Sequence, residues 1–206
     1  MQTKTILMLL LLACAVLTVG TLAQRTSTRI ERSSSQSEWM MNTSENGRGL
    51  EVRIRGKAEF NDEYSDLKSL SPDGSVRVRD SRGTQVRRLE IEPDNNGNLK
   101  RTYWVNDKVQ EFDASARQWM MAMMLDLVRQ GGYDAERRVA RLMAQGGANA
   151  VLSEIALING SYGKSQYFKH LLRQQTLDSA TVQRVVQQIA REVTSDYEKR
   201  QALGAV

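Results

Sequence analysis

The spacing of apolar residues along this chain changes once, and that change fixes the class of fold. Between Gly49 and Phe112 apolar positions recur every second residue. Leu50, Val52 and Ile54 alternate with Glu51, Arg53 and Arg55; Val76 and Val78 with Arg77 and Arg79; Leu89 and Ile91 with Arg88, Glu90 and Glu92. Successive side chains of a strand point to opposite faces, so each run has one apolar and one charged face. Turn residues separate the runs: Ser71-Pro72-Asp73-Gly74, Ser81-Arg82-Gly83, Asp94-Asn95-Asn96-Gly97 and Asn106-Asp107. Connections this short exclude parallel crossovers, which need about a dozen residues, and predict an antiparallel meander of about five strands over residues 48–112.

From Asp113 the spacing becomes helical. Ala116, Trp119, Met120, Met123, Met124, Leu127 and Val128 form one stripe, stopped by Gly131-Gly132. The methionines suit either an adaptable peptide groove or ordinary packing against the apolar face of the sheet, and packing is the simpler reading. Asp134 starts a helix with Val139, Leu142 and Met143 that ends at Gly146-Gly147; Val151, Leu152, Ile155 and Ile158 define the next, ending at Asn159-Gly160. Ser161 opens another, with Tyr162, Phe168, Leu171 and Leu172 as its buried positions. Asp178 caps a helix carrying Val182, Val185, Val186 and Ile189, with Leu177 and Val182 spaced as a hydrophobic staple. Ser195 and Glu198 form a capping box for the last helix.

The expected class is therefore α+β: an N-terminal antiparallel meander followed by a bundle of short helices over residues 113–206. Ile158, Tyr162, Lys164 and Gln166 recur 35 residues later as Val193, Tyr197, Lys199 and Gln201, a helix-hairpin period. With hardly more than one copy visible, the pattern predicts a compact helical subdomain with a frayed final helix rather than a solenoid.

The N-terminus reads as a signal peptide over residues 1–23. Lys4 supplies the basic start, Ile6 to Val19 an apolar stretch of 14 residues, and Thr21-Leu22-Ala23 the small residues that precede cleavage after Ala23. The stretch is short for a membrane span, which needs about 20 residues, so a retained signal anchor is the minor reading. Leu11-Leu12-Ala13-Cys14 resembles a lipoprotein box, but Ala15, Val16, Leu17 and Val19 carry the apolar run past the cysteine, which favours removal over lipid anchoring at Cys14. Residues 24–47 are mostly polar and read as a flexible leader, except that Trp39-Met40-Met41 is expected to dock as an extra edge strand rather than serve as an exposed epitope.

Cys14 is the one cysteine and His170 the one histidine. After cleavage no thiol remains, which removes disulfides, thiolate metal sites and most nucleophile–base pairs from the possibilities. His170 reads as a helix-surface residue, and Asp94-Asn95-Asn96-Gly97-Asn98 as a hairpin turn rather than a calcium loop. No catalytic residue, cofactor or metal ligand is assigned. Cleavage removes one charge, that of Lys4, so the excess of 29 basic over 24 acidic side chains shrinks to +4. So small an excess, spread along the chain, disfavours specific nucleic-acid binding yet suits anionic envelope surfaces. Arg53, Arg55, Arg77, Arg79 and Arg87 are the candidate anionic-surface contacts; the competing reading is a solvated sheet face with cross-strand glutamates.

Lys57-Ala58-Glu59-Phe60, Asp66 to Ser71 with Gly74, the Tyr103 to Phe112 hairpin, Arg138 to Arg141 with Gly146-Gly147, and Ser195 to Lys199 carry a resemblance across residues 48–206. They resemble segments of exported bacterial proteins of uncharacterised function that occur beside or fused to membrane metallopeptidases of the beta-lactam-sensor, antirepressor type. The peptidase part and its histidine-glutamate zinc signature are absent from this sequence, and Gly160-Ser161-Tyr162-Gly163-Lys164 departs from Ser195-Asp196-Tyr197-Glu198-Lys199. The resemblance implies an accessory or sensory module, not a protease. The leading expectation is a non-catalytic periplasmic or secreted module that binds an envelope or membrane protein or another envelope component. An arginine-mediated binder of anionic polymer or membrane surface, and a hydrolase built from common serines and carboxylates, are the alternatives.

Overall fold

A computed structural model of the chain describes residues 27–33, 38–174 and 176–204. The expected signal peptide, its Ala23 cleavage point and Cys14 lie outside the described residues. The fold is α+β, with the strands preceding the helices.

The reading of residues 24–47 as a flexible leader is corrected in its described part. β1 (Ser27–Ser33) and β2 (Glu38–Glu45) are strands of the main sheet. Trp39 and Met41 are buried in the core, whereas Met40 lies opposite Arg53 on the other face. β2 is not an edge strand, because β1 pairs along its outer side. Asn46 and Gly47, at φ 51° and 75°, make the two-residue turn into β3 (Arg48–Arg55). The strand expected at Trp39-Met40-Met41 is present, but it is longer than those three residues and lies inside the sheet.

The sheet continues with β6 (Ser75–Arg82), β7 (Gln85–Pro93), β8 (Leu99–Val105) and β9 (Lys108–Gln110), in the order β1-β2-β3-β6-β7-β8-β9. All neighbours are antiparallel. Between β3 and β6 the chain leaves the sheet as a separate hairpin, β4 (Ala58–Phe60) and β5 (Leu67–Leu70). It departs through Gly56, at φ 73°, where any side chain would collide with Ser71 Oγ. That hydroxyl accepts the Lys57 N–H at 3.1 Å, so the close approach ties the two ends of the excursion together. Phe60, Tyr64 and Leu67 from this excursion are buried in the core of the sheet. At the β7–β8 turn the Asp94 carboxylate accepts the N–H groups of Asn96 and Asn98 at 2.8 and 2.9 Å, the hairpin chemistry expected of that segment.

One face of the sheet is apolar and α1 (Ala114–Gln130) covers it. Asp113 caps this helix by accepting the Ala116 N–H at 2.8 Å. Met120, Met123, Met124, Leu127 and Val128 are buried in one core with Leu50, Val52, Ile54, Val76, Leu89 and Ile91. The methionine stripe is thus core packing, and the boundary between cores falls after α1 rather than at residue 113.

A second core joins the remaining helices: α2 (Ala135–Ile155), α3 (Ser161–Leu172), α4 (Ser179–Glu192) and α5 (Asp196–Leu203). The stop expected at Gly146-Gly147 is present: Gly146, at φ −154° and ψ 18°, and Gly147, at φ 65° and ψ −160°, leave helical dihedrals and divide α2 into two helical segments at a kink. Asp134 does not cap α2. Its residue lies at φ 57°, and its carboxylate instead accepts the Tyr64 hydroxyl at 3.1 Å. Asp178 and Ser195 do cap α4 and α5, accepting the Thr181 and Glu198 N–H groups at 2.6 and 3.3 Å. A Glu198 oxygen takes the Ser165 hydroxyl of α3, because α5 packs on that helix and brings the carboxylate to it. The 35-residue repeat has a structural counterpart: Ile158 and Val193 are both 1% exposed, each just ahead of a helix start. The Ser161 and Thr194 hydroxyls join those two starts at 2.9 Å.

Candidate functional site

The face of the sheet opposite α1 is charged, and none of the described helices packs on it. Strand alternation places its residues in cross-strand rows. One row runs Met40, Arg53, Arg77, Glu90, Thr102; the next runs Asn42, Glu51, Arg79, Arg88, Trp104, Val109. Two like-charged pairs therefore lie directly opposite, Arg53 with Arg77 and Arg79 with Arg88, an arrangement that destabilises a sheet unless other groups intervene.

Three of the four guanidiniums have partners. Arg53 Nε donates to Glu51 Oε1 at 2.8 Å. Arg77 donates to Glu90 and, at 3.4 Å, to Glu92, and the Glu90 carboxylate raises its pKa above the ordinary arginine value. Arg88 lies over the Trp104 ring, 5.0 Å from its centroid, and reaches Asp107 at 3.2 Å. Arg79 has no hydrogen bond or ion pair with any of the described residues. These side chains border an open depression of about 360 Å³ lined by Glu51, Arg53, Arg77, Arg79, Arg88, Glu90 and Trp104, with Val78 and Leu89 in its floor.

The structure thus brings together Arg53, Arg77 and Arg79 from the expected set. Arg55 shares their face but stands at the end of β3, where its Nε donates to the Asp73 carbonyl at 3.2 Å. Arg87 is a correction: it pairs with Val105 on the face that α1 covers, and its guanidinium lies 6.0 Å from the Trp119 ring centroid. The reason is parity, since Arg87 shares the face of Leu89 and Ile91. Arg88 takes its place on the open face, as its alternation with those residues indicated. Trp104, opposite Arg88, was legible only as the neighbour of inward-facing Tyr103.

The other charged clusters are spent on holding elements together. Asp80 accepts from Arg48 at 2.9 Å and from Trp119 Nε1 at 2.8 Å, while Arg48 also donates to Asp126 at 2.9 Å. Burial pushes the Asp80 carboxyl up, but the bonds from Arg48 and Trp119 outweigh it and hold the pKa below the ordinary aspartate value. At the junction of the two cores, Glu154 of α2 accepts from Arg129 at 2.8 Å and from Arg138 at 2.7 Å. Arg138 and Arg141 lie 4.7 and 5.0 Å from the Tyr64 ring centroid, and burial pushes the Tyr64 hydroxyl up to about 12. Ser165, a nucleophile only if exposed, is fully buried against Tyr162 and Glu198. His170 is half-buried on α3. Among the described residues no group of three or more His, Cys, Asp or Glu side chains is arranged to hold a metal ion, and no helix is long and apolar enough to cross a membrane.

The chain matches no family model, no curated protein and no solved structure.

Proposed function

We propose that this chain is an exported, non-catalytic binding module that recognises an anionic component of the cell envelope through the open face of its sheet. The observation that carries this reading is Arg79, an exposed guanidinium with no hydrogen bond or ion pair among the described residues, directly opposite like-charged Arg88 on one side and Glu51 on the other, on an uncovered face. An anion bound there relieves the repulsion along that row, so binding and local stability favour the same contact. The elements behind it are fixed by α1 and the buried charge clusters, which makes the face a rigid platform. Export is supported by the basic start, apolar run and small residues at the N-terminus.

Co-sedimentation of the chain with isolated envelope polymer, with and without salt, tests this directly. Binding through four guanidiniums is expected to weaken at least tenfold between about 50 and about 200 mM salt. It is expected to fall by a similar factor in Arg79→Ala. Salt-insensitive retention, or full retention by an Arg79→Ala, Arg77→Ala variant of unchanged melting temperature, contradicts the reading.

A further inference from the structure

We propose that the depression between Arg53, Arg77, Arg79, Arg88 and Trp104 is a subsite for one acidic sugar unit of an envelope polysaccharide. The proposal rests on the reading of the open face as the contact surface and names its ligand.

Three features select this chemistry. The first is size. About 360 Å³ falls at the small end of ligand pockets, matching a compact unit rather than the broad patch a folded partner covers.

The second is the pattern of charge. Glu51 and Glu90 line the same depression as the four arginines, and the carboxylates of Glu31 and Glu38 belong to outward-facing positions of β1 and β2, opposite Met40 and Arg55. A polyphosphate or an anionic bilayer brings negative charge to every point of the face and meets these carboxylates with repulsion. An acidic sugar brings one carboxylate among several hydroxyls. Arg79, which lacks an acceptor among the described residues, takes the carboxylate, and Glu51 and Glu90 accept from the hydroxyls.

The third is Trp104. It is half-buried at the rim, with Arg88 against its ring. It offers an apolar flank and an indole N–H side by side, the pairing that suits a sugar ring with its C–H and hydroxyl faces. The exposed aliphatic beside it in those rows is Val109, opposite Trp104, too little apolar surface for the core of a protein interface.

Calorimetric titration of the exported chain with an oligosaccharide of uronic acid, its carboxyl-reduced neutral counterpart, inorganic polyphosphate and phosphatidylglycerol vesicles tests the assignment. The uronic oligosaccharide is expected to bind at least about tenfold more tightly than the neutral one. Arg79→Met and Trp104→Leu, both with unchanged melting temperature, should each weaken it by about tenfold or more. Glu51→Gln should weaken the uronic ligand but strengthen polyphosphate. Equal binding of the acidic and neutral oligosaccharides overturns the proposal, as does binding indifferent to Arg79 and Trp104. Binding of polyphosphate or vesicles alone, lost in Arg79→Met, overturns the sugar subsite and leaves the anionic-face reading standing. Absence of binding to all three anions overturns both.

Discussion

Glu154→Ala is expected to destabilise the fold by about 3–5 kcal/mol, the scale for breaking a buried ion pair from one side. The Glu154 side chain is 9% exposed and that of Arg138 7%, so alanine at 154 strands the Arg138 guanidinium inside the junction between α1, α2 and the Tyr64 loop. Arg129, at 25%, can turn to water and contributes less. Replacing both buried partners, as Glu154→Leu with Arg138→Met, should recover most of the loss, since an apolar pair of similar volume removes the uncompensated charge. Urea denaturation of the two variants checks this. A loss below about 1 kcal/mol for Glu154→Ala would mean the pair is no more than a surface salt bridge.

The same pair has a pH signature. Burial pushes the Glu154 carboxyl up, but hydrogen bonds from Arg129 and Arg138 outweigh it and the net pKa lies below the ordinary 4.5. A carboxylate with a depressed folded pKa binds fewer protons folded than unfolded. Its stabilising contribution is complete above 4.5 and is lost as pH falls through the folded value. The gap in stability between the parent chain and Glu154→Gln should therefore narrow below that point.

Met124→Ala is expected to cost about 2–5 kcal/mol, and Met124→Leu less than about 1.5 kcal/mol. Met124 is fully buried, with Met120 at 2% and Met123 at 0% exposure beside it. Truncation opens a cavity under a sheet whose other face has no helix against it among the described residues. Leucine keeps the volume. If the stripe were an adaptable groove instead, alanine would leave the melting temperature unchanged, which thermal denaturation would show directly.

How far the sequence carried these conclusions depends on the range of each interaction. The alternation of Leu50, Val52 and Ile54 with charged residues marks a half-buried strand, and the spacing from Ala116 to Val128 marks its covering helix, because each pattern repeats locally. The added strand at Trp39-Met40-Met41 was legible from its hydrophobes, but its full length and β1 on its outer side were not, since Trp39 and Met41 offer only a short alternation among polar neighbours. Gly146-Gly147 marked a real break, because both glycines leave helical dihedrals there and divide α2 into two helical segments.

The open face was legible in outline and wrong by one residue. Arg53, Arg77 and Arg79 follow from parity, and so did Arg88; Arg87 was included on charge although its parity places it with Leu89. Trp104 joins the site only through the β7–β8 register, and Glu154 meets Arg129 and Arg138 across sequence separations of 25 and 16 residues. Pairing across strands and helices is decided by packing, which no local pattern encodes.

The central claim is that binding belongs to the open face of the sheet while the helical half serves as framework. Mapping amide chemical-shift changes on titration with envelope polymer tests it most directly. Changes are expected at Arg53, Arg77, Arg79, Arg88 and Trp104, and they should disappear in Arg79→Ala. Changes concentrated on α3, α4 and α5, with those five residues unmoved, would contradict it.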